Sequence, residues 1–372
     1  MSVEFGGRCL TVDLLAISNH ADMLGGGEYS FLDLVSSLKK VRRVVALTPG
    51  HGELYDQLRG RSVQTVVSTL APIRPWLVSQ MVSDLYRMVR FCRHHRVGLV
   101  YANGSRAAFY GGIASWIRGI PMVWHCRIAD RDQRLDPVLL RVSSRIIANS
   151  QATASRFSTR FQPKVRVVYN GIRLSRFLSV DDVQAPSTTK DRRVIISVAR
   201  ISRQKRHDVT LSAFESIALS DSSLHLFLIG GKDRHDTDWW EFLRKRSKES
   251  VLRDRIHWVG HVDDVRPWYR AAELMIFPSE KESFGRVVVE AMASGVPVVA
   301  ARSGGLPEII THGEDGFLFS PGSADQLVDY VRILLAEAKT RHRIARAAQD
   351  RSRDFSLEQH VLQVSHVFDE II

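Results

Sequence analysis

The chain has 372 residues, 44% hydrophobic and 25% charged, values of a globular protein with room for two domains rather than one core. No run approaches the roughly 18 apolar residues of a membrane span; three cysteines, Cys9, Cys92 and Cys126, lack framework spacing and read as free thiols in a reducing cytoplasm, which excludes a disulfide-stapled secreted domain. The net charge of +12 sits in the first half, since residues 1–180 hold 25 of the 52 Lys and Arg but only 11 of the 40 Asp and Glu; such a half attracts anionic lipid headgroups, a lipid diphosphate or nucleic acid, unless it reflects a general preference for arginine.

The opening MSVEFGGRCLTVDLLAIS has an acidic residue and no basic leader, so its short apolar run reads as a first strand rather than a signal peptide. The runs VRRVVALT, GLVYAN, PMVWHC, SRIIANS and VRVVYNG follow as β-rich segments, with helical patterns such as GGEYSFLDLVSSLKK and SRAAFYGGIASWIRG between them. Strands that alternate with helices predict a parallel sheet covered on both faces. The polar stretch 179–192, with its Pro, Ser and Thr and no periodicity, reads as an interdomain linker. Alternation then restarts with RVIISVAR, a helix over HDVTLSAFESIAL, SLHLFLIGG, a helix around Trp239–Lys248, RIHWVGH, a short helix at VRPWYRAA and LMIFPS. A helix after Glu282, the strand VPVVAA, helices over 323–338 and 339–350, and a last helix from about Ser356 close the chain. The architecture is thus α/β, two successive doubly wound units of 1–178 and 193–354, whose ligands belong at the carboxyl ends of the strands.

Three stretches concentrate candidate chemistry. In EKESFGRVVVEAMASGVPVVAARSGG, residues 280–305, a helix over Gly285–Ser294 has Ser283 as its expected N-cap and Gly295 as its C-cap. Backbone N–H groups around Phe284, Gly285 and Arg286 would serve a phosphate, and Gly285 lets it come close. Glu282 and Glu290, about 12 Å apart along a helix, are too distant for the paired carboxylates of a retaining glycosidase. They suit two ends of one extended ligand. SVARISRQKRHD puts Arg200 and Lys205 after a strand, where two cations can neutralise a departing diphosphate. LGGGEYSF sets Gly25, Gly26 and Gly27 before the first helix, without the spacing of a dinucleotide fingerprint.

Together these stretches resemble the GT4-type retaining glycosyltransferases, which have the GT-B fold of two Rossmann-like domains facing across a cleft. EKESFGRVVVEAMASGVPVVA is similar to the family's E-x7-E element, and the resemblance implies that Glu282 contacts the donor sugar's hydroxyls while Glu290 holds the nucleotide ribose. ARISRQKR resembles the family's G-R-x4-K-G element, with Ala199 and Arg206 standing where the family has glycine. The resemblance further implies a diphosphate- and acceptor-facing loop at Gly25–Gly27, a sugar-facing His125, donor contacts from Ser283, Phe284 and Gly285, and a base-side loop around Gly260 and Val262 in HWVGHVDD. Loop and hinge geometry is implied for Asn149, Ser150, Asn170 and Gly171. A last helix, about 355–372, would cross back to the first domain.

The expected activity is transfer of a sugar from a UDP- or GDP-sugar to a hydroxyl acceptor by front-side substitution, with retention. It needs no metal or other cofactor, and a diphosphate oxygen takes the acceptor's proton. The triplets Asp130-Arg-Asp132 and Asp236-Thr-Asp238 spell D-x-D but carry no metal under this reading, and CRHH at 92–95 lacks a second ligand pair. The stretch 75–96 mixes apolar positions with Arg87, Arg90, Arg93 and Arg96, which fits an interfacial helix on anionic lipid and equally an amphipathic helix packed on its sheet. With the basic first half it suggests a lipid-linked acceptor, a polysaccharide or glycolipid precursor of the cell envelope, and a cytoplasmic protein peripheral at the inner membrane face. No nucleic-acid module occurs, and no nucleic-acid partner is expected. The competing readings are a non-catalytic sugar-nucleotide-binding scaffold and a basic nucleic-acid-binding protein.

Overall fold

The computed structural model describes residues 12–179 and 183–372. Two compact units result, one of residues 12–171 with Leu357–Ile372 and one of residues 172–356. Cys9 and the first residues of the opening apolar run lie outside the described residues, as do 180–182 of the expected linker. The rest of that linker includes one 3-10 turn, Ser187–Thr189.

The first unit is a parallel sheet of β1 (Leu14–Ser18), β2 (Val44–Thr48), β3 (Gln64–Val67), β4 (Leu99–Asn103), β5 (Met122–Cys126), β6 (Arg145–Ala148) and β7 (Val165–Val167), in the order β3-β2-β1-β4-β5-β6-β7. Its central strands are buried along their whole length, which is why LLAIS, VVALT and MVWHC read as unbroken apolar runs. Within β1 the pleat sends Leu15 and Ile17 to one core layer and Leu14 and Ala16 to the other. The second layer is completed by the helix Leu357–Asp369, whose Val364, Val367 and Phe368 pack among Leu14, Phe31 and Tyr101. Glu370 anchors that end of the chain by accepting hydrogen bonds from Arg145 and Arg166, each at 2.8 Å.

The second unit repeats the plan with β8 (Arg193–Val198), β9 (Leu224–Ile229), β10 (Ile256–Gly260), β11 (Leu274–Phe277), β12 (Val298–Ala301) and β13 (Phe317–Phe319), ordered β10-β9-β8-β11-β12-β13. The chain enters it at Ile172, a few residues before the expected end at 178. Ile172 bridges Ser356 in parallel fashion, and the Phe177 ring lies edge-on to Tyr269 at 6.3 Å, so these residues belong to the second unit.

Both sheets reverse their strand order once, between β1 and β4 and between β8 and β11. At such a reversal the connections leave in opposite directions and open a crevice at the carboxyl ends of the two strands. Arg200, Lys205, Glu282, His125, Gly260 and Val262 each follow a strand at that edge of its sheet or stand at or near its end.

Candidate functional site

In the second unit, the crevice is built by the turn after β8 and the turn after β11. Arg200 follows β8, half-exposed, and pairs with Asp233 at 3.1 Å. Lys205 ends a 3-10 turn, and its ammonium pairs with the Glu282 carboxylate while lying 5.5 Å from the centre of the Phe277 ring. Ser279 donates to the same carboxylate at 3.1 Å. Burial pushes the Glu282 carboxyl up, but the Lys205 charge and hydrogen bond, the Ser279 hydroxyl and the Phe284 N–H outweigh it and hold it below the usual carboxylate value.

The turn after β11 is fixed from both sides. Glu280 N–H donates to Gln204 O at 2.9 Å, and Lys281 N–H donates to Ser303 Oγ at 2.8 Å. Glu282 O accepts from Gly305 N–H at 2.8 Å, and a Cβ on Gly304, which has φ +55°, would lie 1.9 Å from that same oxygen. Only glycine allows so close an approach.

Two expectations need correction. The helix after Glu282 spans Arg286–Ala293 and is capped by Gly285 at φ +106°, not by Ser283. A left-handed residue makes the sharp entry, so no side-chain cap is needed. In addition, Phe284 does not offer its N–H to a phosphate. Its side chain is buried edge-on to Phe355 at 5.7 Å, and its N–H is turned to Glu282. A phosphate at this helix start would approach the backbone around Gly285. Glu290 is buried one turn further and accepts from Arg286 Nε at 2.8 Å.

The two departures from the glycine pattern differ in kind. Ala199 has no left-handed backbone, whereas Arg206 keeps the conformation a glycine would supply, at φ +51°, and offsets its cost with ion pairs to Asp208 and Glu280. Gly260 ends β10 at φ +85° and its carbonyl accepts from Gly230 N–H at 2.8 Å. Val262, half-exposed, follows at the same edge of the sheet.

In the first unit, Gly26 and Gly27 form the first turn of the helix Gly26–Leu38 rather than a loop, with Gly25 as its N-cap. Glu28, buried in that turn, already complements the helix dipole. His125 is buried near the end of β5, its Nδ1 2.7 Å from the Tyr101 hydroxyl. Arg127 donates to Asn103 and Asn170. The D-x-D triplets serve backbone contacts: Asp132 caps a local turn, accepting from Arg134 and Leu135 N–H at 3.0 Å, and Asp236 ties two loops, accepting from Arg203 N–H at 3.1 Å.

Sequence reasoning missed Tyr101, Asn103, Arg127 and Ser279. Three of the four end an apolar strand or follow one within two residues, a position where polar residues have no core to serve. Tyr101 lies inside its strand and carried no such sign.

Residues 24–176 match the family described as Glycosyltransferase Family 4, and residues 181–351 match Glycosyl transferases group 1. The chain belongs to the GT4-type glycosyltransferases. The lipopolysaccharide core biosynthesis glycosyltransferase LpsE of Rhizobium meliloti is 26% identical to this GT4-type chain, over 86% of it and 88% of LpsE. The N-acetyl-alpha-D-glucosaminyl L-malate synthase of Bacillus anthracis is 28% identical over 56% of the chain; there the match spans about half of the relative, 54%. The crystal structure of Anabaena HepE in complex with UDP and glucose shares the GT-B fold, with TM-score 0.84 over 96% of the chain and 99% of HepE at 24% identity.

Proposed function

We propose that this chain is a retaining glycosyltransferase that moves a sugar from a UDP- or GDP-sugar to a hydroxyl acceptor. The observation that carries the reading is the Lys205–Glu282 pair at the β8–β11 reversal, beside a helix start with no acidic residue in its first turn. A diphosphate there meets Arg200, Lys205 and the N–H groups around Gly285, and the first turn of that helix carries no acidic residue, unlike the helix start of the first unit with its Glu28. Glu282 then takes the sugar's hydroxyls, Glu290 the ribose, and Gly260 and Val262 the base. Arg200 and Lys205 stabilise the leaving diphosphate as an oxocarbenium-like sugar forms, and a diphosphate oxygen receives the acceptor's proton. No metal is assigned a role. The UDP and glucose held by HepE support the donor class.

The acceptor reading is a lipid-linked glycan precursor at a cytoplasmic membrane face, in line with the lipopolysaccharide role named for LpsE. The helix Val78–His94 turns Met81, Leu85, Met88, Val89 and Cys92 to the core, as an ordinary amphipathic helix does. Its outer side nevertheless leaves Val82 60% and Tyr86 65% exposed, with Trp76 ahead of it at 71% and Arg90, Arg93 and Arg96 behind. Apolar and aromatic groups beside arginines fit an anionic bilayer surface. Among the described residues no helix is long and apolar enough to cross a membrane.

Thermal-shift binding of UDP, GDP, ADP and their sugar conjugates, with and without EDTA, tests the donor. Stabilisation by one nucleotide, indifferent to EDTA and lost in Glu290→Ala, is expected. No stabilisation by any of them would turn the reading to a scaffold. The anomeric configuration of the product, read by NMR, tests retention. Flotation with anionic and neutral vesicles tests the membrane face, and equal or absent binding to both would count against it.

A further inference from the structure

His125 has two ring nitrogens in unlike surroundings. Nδ1 lies 2.7 Å from Tyr101 Oη and 3.5 Å from Nη2 of Arg127, and that same Nη2 lies 3.5 Å from Tyr101 Oη. Nε2 is buried and has no hydrogen-bond partner among the described residues. The guanidinium is held in this attitude by two amide oxygens, Asn103 Oδ1 on Nε and Asn170 Oδ1 on Nη1, both at 2.5 Å.

A guanidinium donates and never accepts. Tyr101 Oη therefore stands between a donor-only group and a ring nitrogen, and the arrangement that satisfies all three has Arg127 donating to Tyr101 and Tyr101 donating to Nδ1. Burial pushes the Tyr101 phenol up, so it keeps the proton that it shares. A cation 3.5 Å from Nδ1 opposes a proton there as well. An imidazole whose Nδ1 accepts carries its single proton on Nε2.

We infer that Tyr101 and Arg127 are positioning residues that hold His125 as the neutral Nε2–H tautomer, so that it offers a hydrogen-bond donor, and neither a base nor a cation, to an oxygen of the sugar-bearing substrate. Burial, then the charges of Arg127 and His360, keep the imidazole well below its ordinary value and hence uncharged at neutral pH. The identity of the ligand rests on the glycosyltransferase reading. The tautomer does not.

The test uses the full chain with 15N-labelled histidine rings and long-range 1H–15N correlation, the His125 pattern being assigned by its loss in His125→Gln. The expected wild-type pattern at pH 7 has an unprotonated Nδ1 and a protonated Nε2. In Tyr101→Phe, Nδ1 should move toward the position of a nitrogen that accepts no hydrogen bond. A proton on Nδ1 in the wild type, or an unmoved Nδ1 in Tyr101→Phe, overturns the relay; the first readout needs no variant to fold. Titration with UDP-glucose and GDP-mannose should shift the Nε2–H resonance with whichever donor binds. A bound donor that leaves it unshifted overturns the assigned role. An Nε2–H tautomer in a protein that binds no donor would instead strike the functional reading and leave the relay standing.

Discussion

Lys205 and Glu282 form an ion pair between two turns 77 positions apart in the chain, brought together because β8 and β11 are neighbours in the sheet. Each charge is mostly buried, so each depends on the other or on a ligand that replaces it.

Lys205→Met and Glu282→Gln should each lower kcat/KM for sugar transfer by about 100- to 1,000-fold. The double variant should lose far less than the product of the two, because both act on one donor. Steady-state kinetics with the nucleotide sugar that binds is the measurement. Rates close to wild type in Lys205→Met would remove the lysine from the reaction.

Arg206 holds a left-handed backbone at φ +51° and partly exposed ion pairs to Asp208 and Glu280. Arg206→Ala gives up the pairs and keeps the strain, whereas Arg206→Gly gives up both. Urea unfolding should therefore rank Gly above Ala by about 1 kcal/mol. The reverse ranking would show that the turn relaxes when the arginine is lost.

Gly304 and Gly25 separate packing from approach. A Cβ at Gly304 would sit 1.9 Å from Glu282 O, so Gly304→Ala should cost about 2 kcal/mol or more and displace the glutamate. A Cβ at Gly25 meets nothing within 4 Å, and the residue's φ of 172° suits any amino acid. Gly25→Ala should leave stability within about 0.5 kcal/mol while raising KM for the ligand that approaches this backbone. Unchanged kinetics would end the binding role of Gly25.

His207 is buried beside Lys205, and burial, followed by the lysine's charge, lowers it from 6.5 to about 4 against an opposing effect of Asp208. Its folded value lies below its unfolded one, so the unfolded chain takes up the proton first. The contribution is fully present above about pH 6.5 and is lost as pH falls toward 4, about 3 kcal/mol in all. Stability measured by urea midpoint should fall between pH 7 and pH 5, and His207→Leu should flatten part of that slope. An identical slope in the variant would place the acid sensitivity elsewhere.

Much of the candidate site is legible as local pattern in the sequence. Arg200, Lys205, Glu282 and Glu290 were readable because their spacing is short and each follows a strand or sits on one helix, where local periodicity carries the information. Ser283 misled because a serine before a helix is a cap wherever the backbone is extended; here Gly285 makes the turn in a left-handed conformation. Phe284 departs from expectation because its N–H turns to Glu282, a contact that sequence spacing does not reveal. The helix at 75–96 was ambiguous since one amphipathic pattern serves both a sheet and a bilayer, and the structure gives its inner face to the sheet.

By itself, the sequence determined the alternation of strands and helices, the two sheet-forming halves, the uneven charge and the order of candidate groups along each turn. All of these are local, set by periods of two and 3.6 residues and by short spacings. Only the tertiary structure decided that Lys205 meets Glu282, that Gly304 lies against the Glu282 carbonyl, and that Arg127 and Tyr101 close on one nitrogen of His125. Those contacts join segments whose distance in the chain carries no signal, and they exist because parallel strands bring their carboxyl ends to one edge.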